Sequence, residues 1–156
     1  MYTHNEENNR FISLHDCRAE KMRLENGGLS FFFPNGIWVM DDHPENSSEH
    51  TVRTDSARAD FKILDEELVG IQIFLFRKSR GGKVIREEWE TENFINAVNE
   101  GAFRVEFIDR YDGFQSVLFK GEVRFDQPPY RHECEIILPV EKEVYRWNEL
   151  RYDRVW

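Results

Sequence analysis

Two pairs of histidine and cysteine carry the residue types best suited to binding a metal ion. His15 and Cys17 lie near the start of the chain, and His132 and Cys134 lie near its end, each pair separated by one acidic residue. On a β-strand, residues i and i+2 point to the same face, so each pair could contact one ion. If the two strands were neighbours, the four side chains would form a set that tetrahedral zinc prefers. The alternative is that both cysteines pack in the core as small apolar residues.

The sequence indicates no other cofactor. It contains neither a glycine-rich phosphate-binding loop nor a dinucleotide-binding glycine motif. It also lacks the Gly-x-Ser-x-Gly pattern of a hydrolase nucleophile, so no catalytic residue is assigned.

A short polar segment provides a second candidate site. Asp41, Asp42 and His43 are consecutive and precede a proline. Carboxylates and an imidazole so close together could bind a divalent cation or act as general acid and base. The alternative is an ordinary surface turn, since polar loops are common and sites are few.

Clusters of acidic and aromatic residues form the third candidate, a protein-binding surface. Tryptophan within a run of glutamates, and further tryptophans among arginines at the C-terminal end, are typical of residues that anchor interfaces. The candidate interface residues are Glu87, Glu88, Trp89, Glu90, Glu92, Trp147 and Trp156. The alternative is that the aromatic rings fold inward beneath solvated charges.

The elements that must position these residues are mostly strands. Apolar and polar residues alternate in the segments 103–111 and 114–125, which predicts an antiparallel hairpin with Asp112-Gly113 as its two-residue turn. The same pattern predicts that Val117 and Phe119 are buried.

Further turns at 26–28, 34–36 and 79–82 separate other strand segments, and a last strand spans 132–140. The run 68–76 is apolar on both faces, which predicts a central strand. Thr91 as a helix cap, and Gly101 after the last turn, predict one helix over 91–100.

The predicted fold class is therefore mainly β. We expect an antiparallel β-sandwich or a rolled, barrel-like sheet of about nine strands with one short helix. A length of 156 residues suits a single domain over 1–156, and the polar residues 1–9 are predicted to form a flexible tail.

The net charge of −9 restricts the class of partner. This charge repels nucleic acid and anionic membrane surfaces, so neither is expected to bind. The polar start of the chain, without a basic and then apolar leader, favours a cytoplasmic location.

Small size, acidity and aromatic richness resemble the immunity proteins that neutralise basic toxins. That compositional resemblance implies a non-catalytic module binding a protein or peptide of basic character. The alternative is a small β-barrel enzyme, or a ligand- or metal-binding protein, using His43 with Asp41 and Asp42 or the two histidine–cysteine pairs.

Overall fold

The computed structural model describes residues 1–64 and 70–156, which contain fourteen strands and one helix. The strands are β1 (His4–Glu6), β2 (Ile12–Ser13), β3 (Cys17–Ala19), β4 (Lys21–Glu25), β5 (Gly28–Phe33), β6 (Trp38–Val39), β7 (Val52–Thr54), β8 (Ala57–Ile63), β9 (Gln72–Lys78), β10 (Val84–Trp89), β11 (Arg104–Gly113), β12 (Ser116–Arg124), β13 (Arg131–Trp147) and β14 (Leu150–Val155). The helix, α1, spans Thr91–Asn99. The prediction of a mainly-β fold is confirmed. The structure has more strands than the nine expected, because several strands of two or three residues are too short to show a periodic pattern in the sequence.

Strand β13 organises the larger sheet because its two halves have different partners. Its first half pairs with β12 on one edge and β9 on the other, and its second half pairs with β8 and β1. From β13 the sheet runs through β12 and β11 to β3 in one direction, and through β8 and β5 to β4 in the other. Only Glu20 separates β3 from β4, and its N–H donates to the Phe32 carbonyl at 3.1 Å. The sheet therefore rolls back on itself.

Aromatic rings from five strands meet inside this rolled sheet. Neighbouring rings lie 5.0 to 6.2 Å apart, centroid to centroid, mostly edge to face. These residues, all buried, are Phe31, Phe61, Phe107, Phe119 and Tyr145. The four-stranded sheet, in the order β14-β7-β6-β2, adds Ile12 and Val39 to the same apolar core.

The hairpin of β11 and β12 has the predicted antiparallel pairing, and Val117 and Phe119 are buried as predicted. Its turn, however, consists of Phe114 and Gln115, because Gly113 already pairs with Ser116. The predicted turn at Asp112-Gly113 is wrong by two residues. The buried residues of the two strands come to one face through the one-residue shift of register between Phe107 and Asp109, which places Phe107 opposite Gly121 and Val105 opposite Val123.

Helix α1 has the predicted apolar stripe and the predicted C-terminal glycine. Its buried residues are Phe94, Ile95 and Val98. Gly101 has φ of +78°, which favours glycine after a helix. The N-cap position is occupied by Glu90 rather than Thr91, and Thr91 is the first helical residue. Helix α1 has nine residues, so the described part of the chain contains no helix that could cross a bilayer.

The N-terminal segment differs from the predicted flexible tail. Strand β1 pairs with residues 145–147 of β13, and the Thr3 N–H donates to the Asn148 side-chain oxygen at 3.0 Å. Backbone pairing requires no apolar pattern, which is why the polar sequence gave no sign of this strand. Of the predicted central strand 68–76, residues 72–76 belong to β9 and residues 68 and 69 lie outside the described residues.

Candidate protein-binding surface

Strand β10 lies at an edge of the larger sheet. It pairs with β9 in antiparallel register from Val84 opposite Lys78 to Trp89 opposite Ile73. Among residues 1–64 and 70–156 it has no second strand partner. Every residue from 81 to 88 is exposed to solvent. No strand of the described part of the chain thus covers the other edge of β10.

The hydrogen bonds at the start of the β9–β10 pairing identify the backbone groups on this open edge. The Ser79 N–H donates to the Lys83 carbonyl at 2.8 Å, so these two residues form a hydrogen-bonded pair. In an antiparallel ladder such pairs alternate with pairs whose backbone groups point away. The N–H and C=O groups that face away from β9 therefore belong to Val84, Arg86 and Glu88.

The side chains of β10 alternate between two faces. The face shared with core residues of β9 carries Ile85, Glu87 and Trp89, and the outer face carries Val84, Arg86 and Glu88. Arg86 lies over the Phe74 ring, with its guanidinium carbon 3.4 Å from the ring centroid, and reaches Glu135 at 3.6 Å. This arrangement holds the Arg86 charge between an aromatic ring and a carboxylate.

The four carboxylates of the predicted glutamate cluster have different surroundings. Glu87 accepts a hydrogen bond from the Arg77 Nε at 2.9 Å. Glu88, Glu90 and Glu92 are exposed, and none of them forms an ion pair within the described part of the chain. The strand end and the first turn of α1 thus present unbalanced negative charge to solvent.

Trp89 lies partly buried between this surface and the core. Its ring contacts Phe94 and Phe103 edge to face, with centroids 6.2 and 5.9 Å apart. Its indole N–H is buried and finds no acceptor among the described residues. Trp89 therefore packs against the core beneath this surface and does not project from it.

The two C-terminal tryptophans are separated by the fold. Trp147 is only 1% exposed, and its ring lies between His4 and His43, each 5.7 Å away between centroids. It is a core residue, and its prediction as an interface anchor is wrong, because it ends the strand that organises the sheet. Trp156 is 60% exposed and stacks on His15 at 5.2 Å. It lies beside the four-stranded sheet and not beside β10.

The structure does not bring the two histidine–cysteine pairs together. Cys17 on β3 pairs with Phe107 of β11, and Cys134 on β13 pairs with Gly121 of β12. Phe107 and Gly121 face each other, so the two cysteines lie in one row but three strand spacings apart. That separation is about 14 Å along the sheet. One ion cannot be held by both.

The histidines of these pairs have separate surroundings as well. His15 Nδ1 lies 2.7 Å from the Ile108 carbonyl oxygen, and its Nε2 lies 3.4 Å from the Asp16 carboxylate. His132 packs against the edge of Phe125. Both cysteines are buried, and burial raises the pKa of each thiol to about 12. The two thiols therefore behave as small core side chains.

The Asp41-Asp42-His43 segment turns its residues in opposite directions. Asp41 and Asp42 are exposed, whereas His43 is 6% exposed. The Glu45 N–H donates to His43 Nδ1 at 3.0 Å, so the ring proton lies on Nε2 and is donated to Glu6 at 3.1 Å. The hydrogen bond from His43 to Glu6 thus connects the Asp41-Asp42-His43 segment to β1. The two aspartates do not share a site with His43.

Sequence reasoning missed a cavity beside β11. Its volume is about 250 Å³, and Arg110, Tyr145, Phe119 and His15 line part of it. All five N–H groups of Arg110 have acceptors, from Asp112, Glu143 and the Tyr145 hydroxyl oxygen, at 2.8 to 3.0 Å. Nothing in the sequence could have indicated this network, because its members meet only once the sheet has rolled.

Burial also affects titration within this network. Burial and the neighbouring Glu143 carboxylate raise the pKa of Tyr145, whose hydroxyl donates to Glu143 at 2.9 Å. Because Arg110 is saturated by internal acceptors, the network stabilises the fold and leaves no guanidinium donor for a ligand.

No protein-family model, curated protein or solved structure matches this chain.

Proposed function

We propose that this chain is a non-catalytic protein-binding module and that β10 with the start of α1 binds a basic protein or peptide. The single observation that carries the proposal is that Glu88, Glu90 and Glu92 are exposed beside an edge strand and form no ion pair with any residue of the described ranges 1–64 and 70–156. Like charges so close together repel one another, and a partner's lysines or arginines would relieve that repulsion.

Electrostatics supports a partner of this charge. A net charge of −9 attracts a basic molecule from a distance and accelerates encounter. A cytoplasmic location, suggested by the two free buried thiols, belongs to the same proposal. Neutralising a basic partner, as the compositional resemblance to immunity proteins implies, is the physiological outcome we propose.

The test compares two variants with the same change in net charge. In the first, Glu88→Gln, Glu90→Gln and Glu92→Gln are combined. The control combines Asp41→Asn, Asp42→Asn and Glu49→Gln, three exposed residues in the loop between β6 and β7. Binding of a lysine-rich peptide is measured by fluorescence anisotropy at low and at physiological ionic strength.

We expect the first variant to bind the peptide about tenfold more weakly and the control less than about threefold more weakly, because nearby charges act more strongly than distant ones. An equal loss in both variants would mean that net charge alone attracts the peptide. No loss in the first variant would place the binding surface elsewhere. Either result overturns the proposal.

A further inference from the structure

We infer that the partner of this module contributes an extended segment that adds to the open edge of β10 as an antiparallel strand. Read from its N-terminal end, this segment carries two basic residues, one small polar residue and two apolar residues. The inference rests on the proposed function and names the mode of binding at the same surface.

The backbone of β10 provides the first argument. Val84, Arg86 and Glu88 each direct one N–H and one C=O group away from β9, as the hydrogen-bonded pair of Ser79 and Lys83 fixes. Three such residues in a regular six-residue strand form a template for another strand. A partner segment in extended conformation could pair with all of these groups at once.

Exposed apolar side chains at the start of β10 provide the second argument. Val84 is 63% exposed and Ile85 is 37% exposed, on opposite faces of the strand. Edge strands that merely avoid aggregation carry charges or proline at such positions. Adjacent β-branched apolar residues on an open edge instead favour cross-strand contacts with apolar residues of a partner.

The order of side chains along β10 determines the order in the partner. In antiparallel pairing the partner's first residues lie opposite Glu88 and Glu87, which favours two basic residues there. The next residue lies opposite Arg86, whose charge is already held by Phe74 and Glu135, so a small polar residue fits. The last two lie opposite Ile85 and Val84, where apolar residues fit.

A second copy of this chain fits the edge less well. Antiparallel pairing of two β10 strands centred on Arg86 would place the two Arg86 residues opposite each other and each Glu87 opposite an Ile85. It would also bring together two molecules of net charge −9. Charge complementarity therefore selects a basic partner over a second copy.

The experiment uses a synthetic peptide with the central sequence Lys-Lys-Ser-Val-Val, flanked by serines, and two N-methylated forms of it. Residues opposite Glu88, Arg86 and Val84 direct their N–H groups toward β10, and the intervening residues direct theirs away. One form is therefore N-methylated at the first lysine and the serine. The matched control is N-methylated at the second lysine and the first valine.

We expect the first form to bind at least about tenfold more weakly than the unmodified peptide, and the control to bind within about threefold of it. Hydrogen exchange gives an independent readout. Peptide binding should slow exchange of the Val84, Arg86 and Glu88 amides, while those of Ile85 and Glu87, already bonded to β9, should change little.

The outcomes separate this inference from the proposed function. If both N-methylated forms bind as well as the unmodified peptide, but the Glu88, Glu90 and Glu92 variant loses binding, the surface binds basic peptides without strand addition and the inference is wrong. If the unmodified peptide does not bind and the lysine-rich peptide does, the proposed side-chain order is wrong. If sedimentation shows a dimer that the Glu88→Pro variant abolishes, the edge belongs to a second copy and the inference is overturned.

Discussion

Gly121 of β12 lies directly against the backbone of Glu106 in β11. A Cβ atom at Gly121 would overlap the Glu106 carbonyl oxygen and would lie 3.2 Å from its carbonyl carbon. The contact occurs next to Ile108, where the β11–β12 register shifts by one residue. Since backbone atoms of a paired strand cannot move aside as a flexible side chain can, only glycine fits at this position.

We therefore expect Gly121→Ala to lower the free energy of unfolding by at least about 2 kcal/mol, because the new methyl group must push β11 away from β12. Urea denaturation followed by circular dichroism measures the change. Gly81→Ala is the matched control, since its nearest neighbour would be the Ser79 hydroxyl oxygen at 3.9 Å. A change within about 0.5 kcal/mol is expected there. Equal stability of the two variants would contradict the close approach.

The saturated Arg110 network leads to a second prediction. Replacing Arg110 with methionine removes the guanidinium that donates to Glu143, which is 12% exposed, and to the Tyr145 hydroxyl oxygen. Because those groups stay buried, we expect the free energy of unfolding to fall by about 2 to 4 kcal/mol. Tyr145→Phe, which removes one hydroxyl, should cost only about 1 kcal/mol.

The control for this network is Arg151→Gln, which removes an exposed ion pair with Asp153. Solvent screens that pair, so its loss should have no measurable effect on urea denaturation. If Arg110→Met proved as mild as Arg151→Gln, the network would not stabilise the rolled sheet.

The sequence predicted the longer strands with an alternating pattern, such as β12, and missed short ones such as β1, whose backbone pairing requires no such pattern. Alternation from Val117 to Val123 fixed the buried face of β12, but the position of the turn depends on which residues of β11 pair with it. That register is a property of two strands, and the one-residue shift at Ile108 alters it. A local dipeptide such as Asp112-Gly113 does not encode it.

The candidate sites show the same division between local and distant information. His43 and Asp42 are neighbours in sequence, yet His43 is buried and Asp42 is exposed. The reason is that the His43 ring contacts Glu6 of β1, a residue distant in sequence. The two cysteines belong to the same row of the sheet, but two strands separate them. Sequence spacing predicts which face a residue occupies within its strand and not which strand lies next to it.

The buried thiols predict a loss of stability in alkaline solution. Burial raises the pKa of Cys17 and Cys134 from 9.0 to about 12. The unfolded chain therefore loses these protons from about pH 9, while the folded chain retains them until about pH 12. Within that window each thiol should lower the free energy of unfolding by about 1.4 kcal/mol per pH unit.

Urea denaturation between about pH 9 and pH 11 measures this slope. The control combines Cys17→Ala with Cys134→Ala, and its stability should fall less steeply with pH even though lost packing lowers its stability at neutral pH. Equal slopes in the two proteins would show that the thiols do not cause the loss.

Glu106 predicts the opposite dependence, in acid. Its carboxylate is 8% exposed and accepts hydrogen bonds from Arg18 at 2.5 Å and Arg124 at 3.2 Å. Burial opposes ionisation, but the hydrogen bonds from Arg124 and Arg18 outweigh it and hold the pKa of Glu106 below 4.5. A lowered pKa in the folded state stabilises the protein above the unfolded value of 4.5, and this contribution disappears as the pH falls through the folded value.

We therefore expect Glu106→Gln to be less stable than the parent protein at neutral pH, and the difference to shrink steadily as the pH is lowered below about 4.5. Urea denaturation of both proteins at matched pH values measures this difference. Glu25→Gln is the control, because Glu25 pairs with Arg23 at the exposed surface and its replacement should change stability little at any pH. A difference between Glu106→Gln and the parent protein that stayed constant across this range would mean that the two arginines do not favour the ionised form of Glu106.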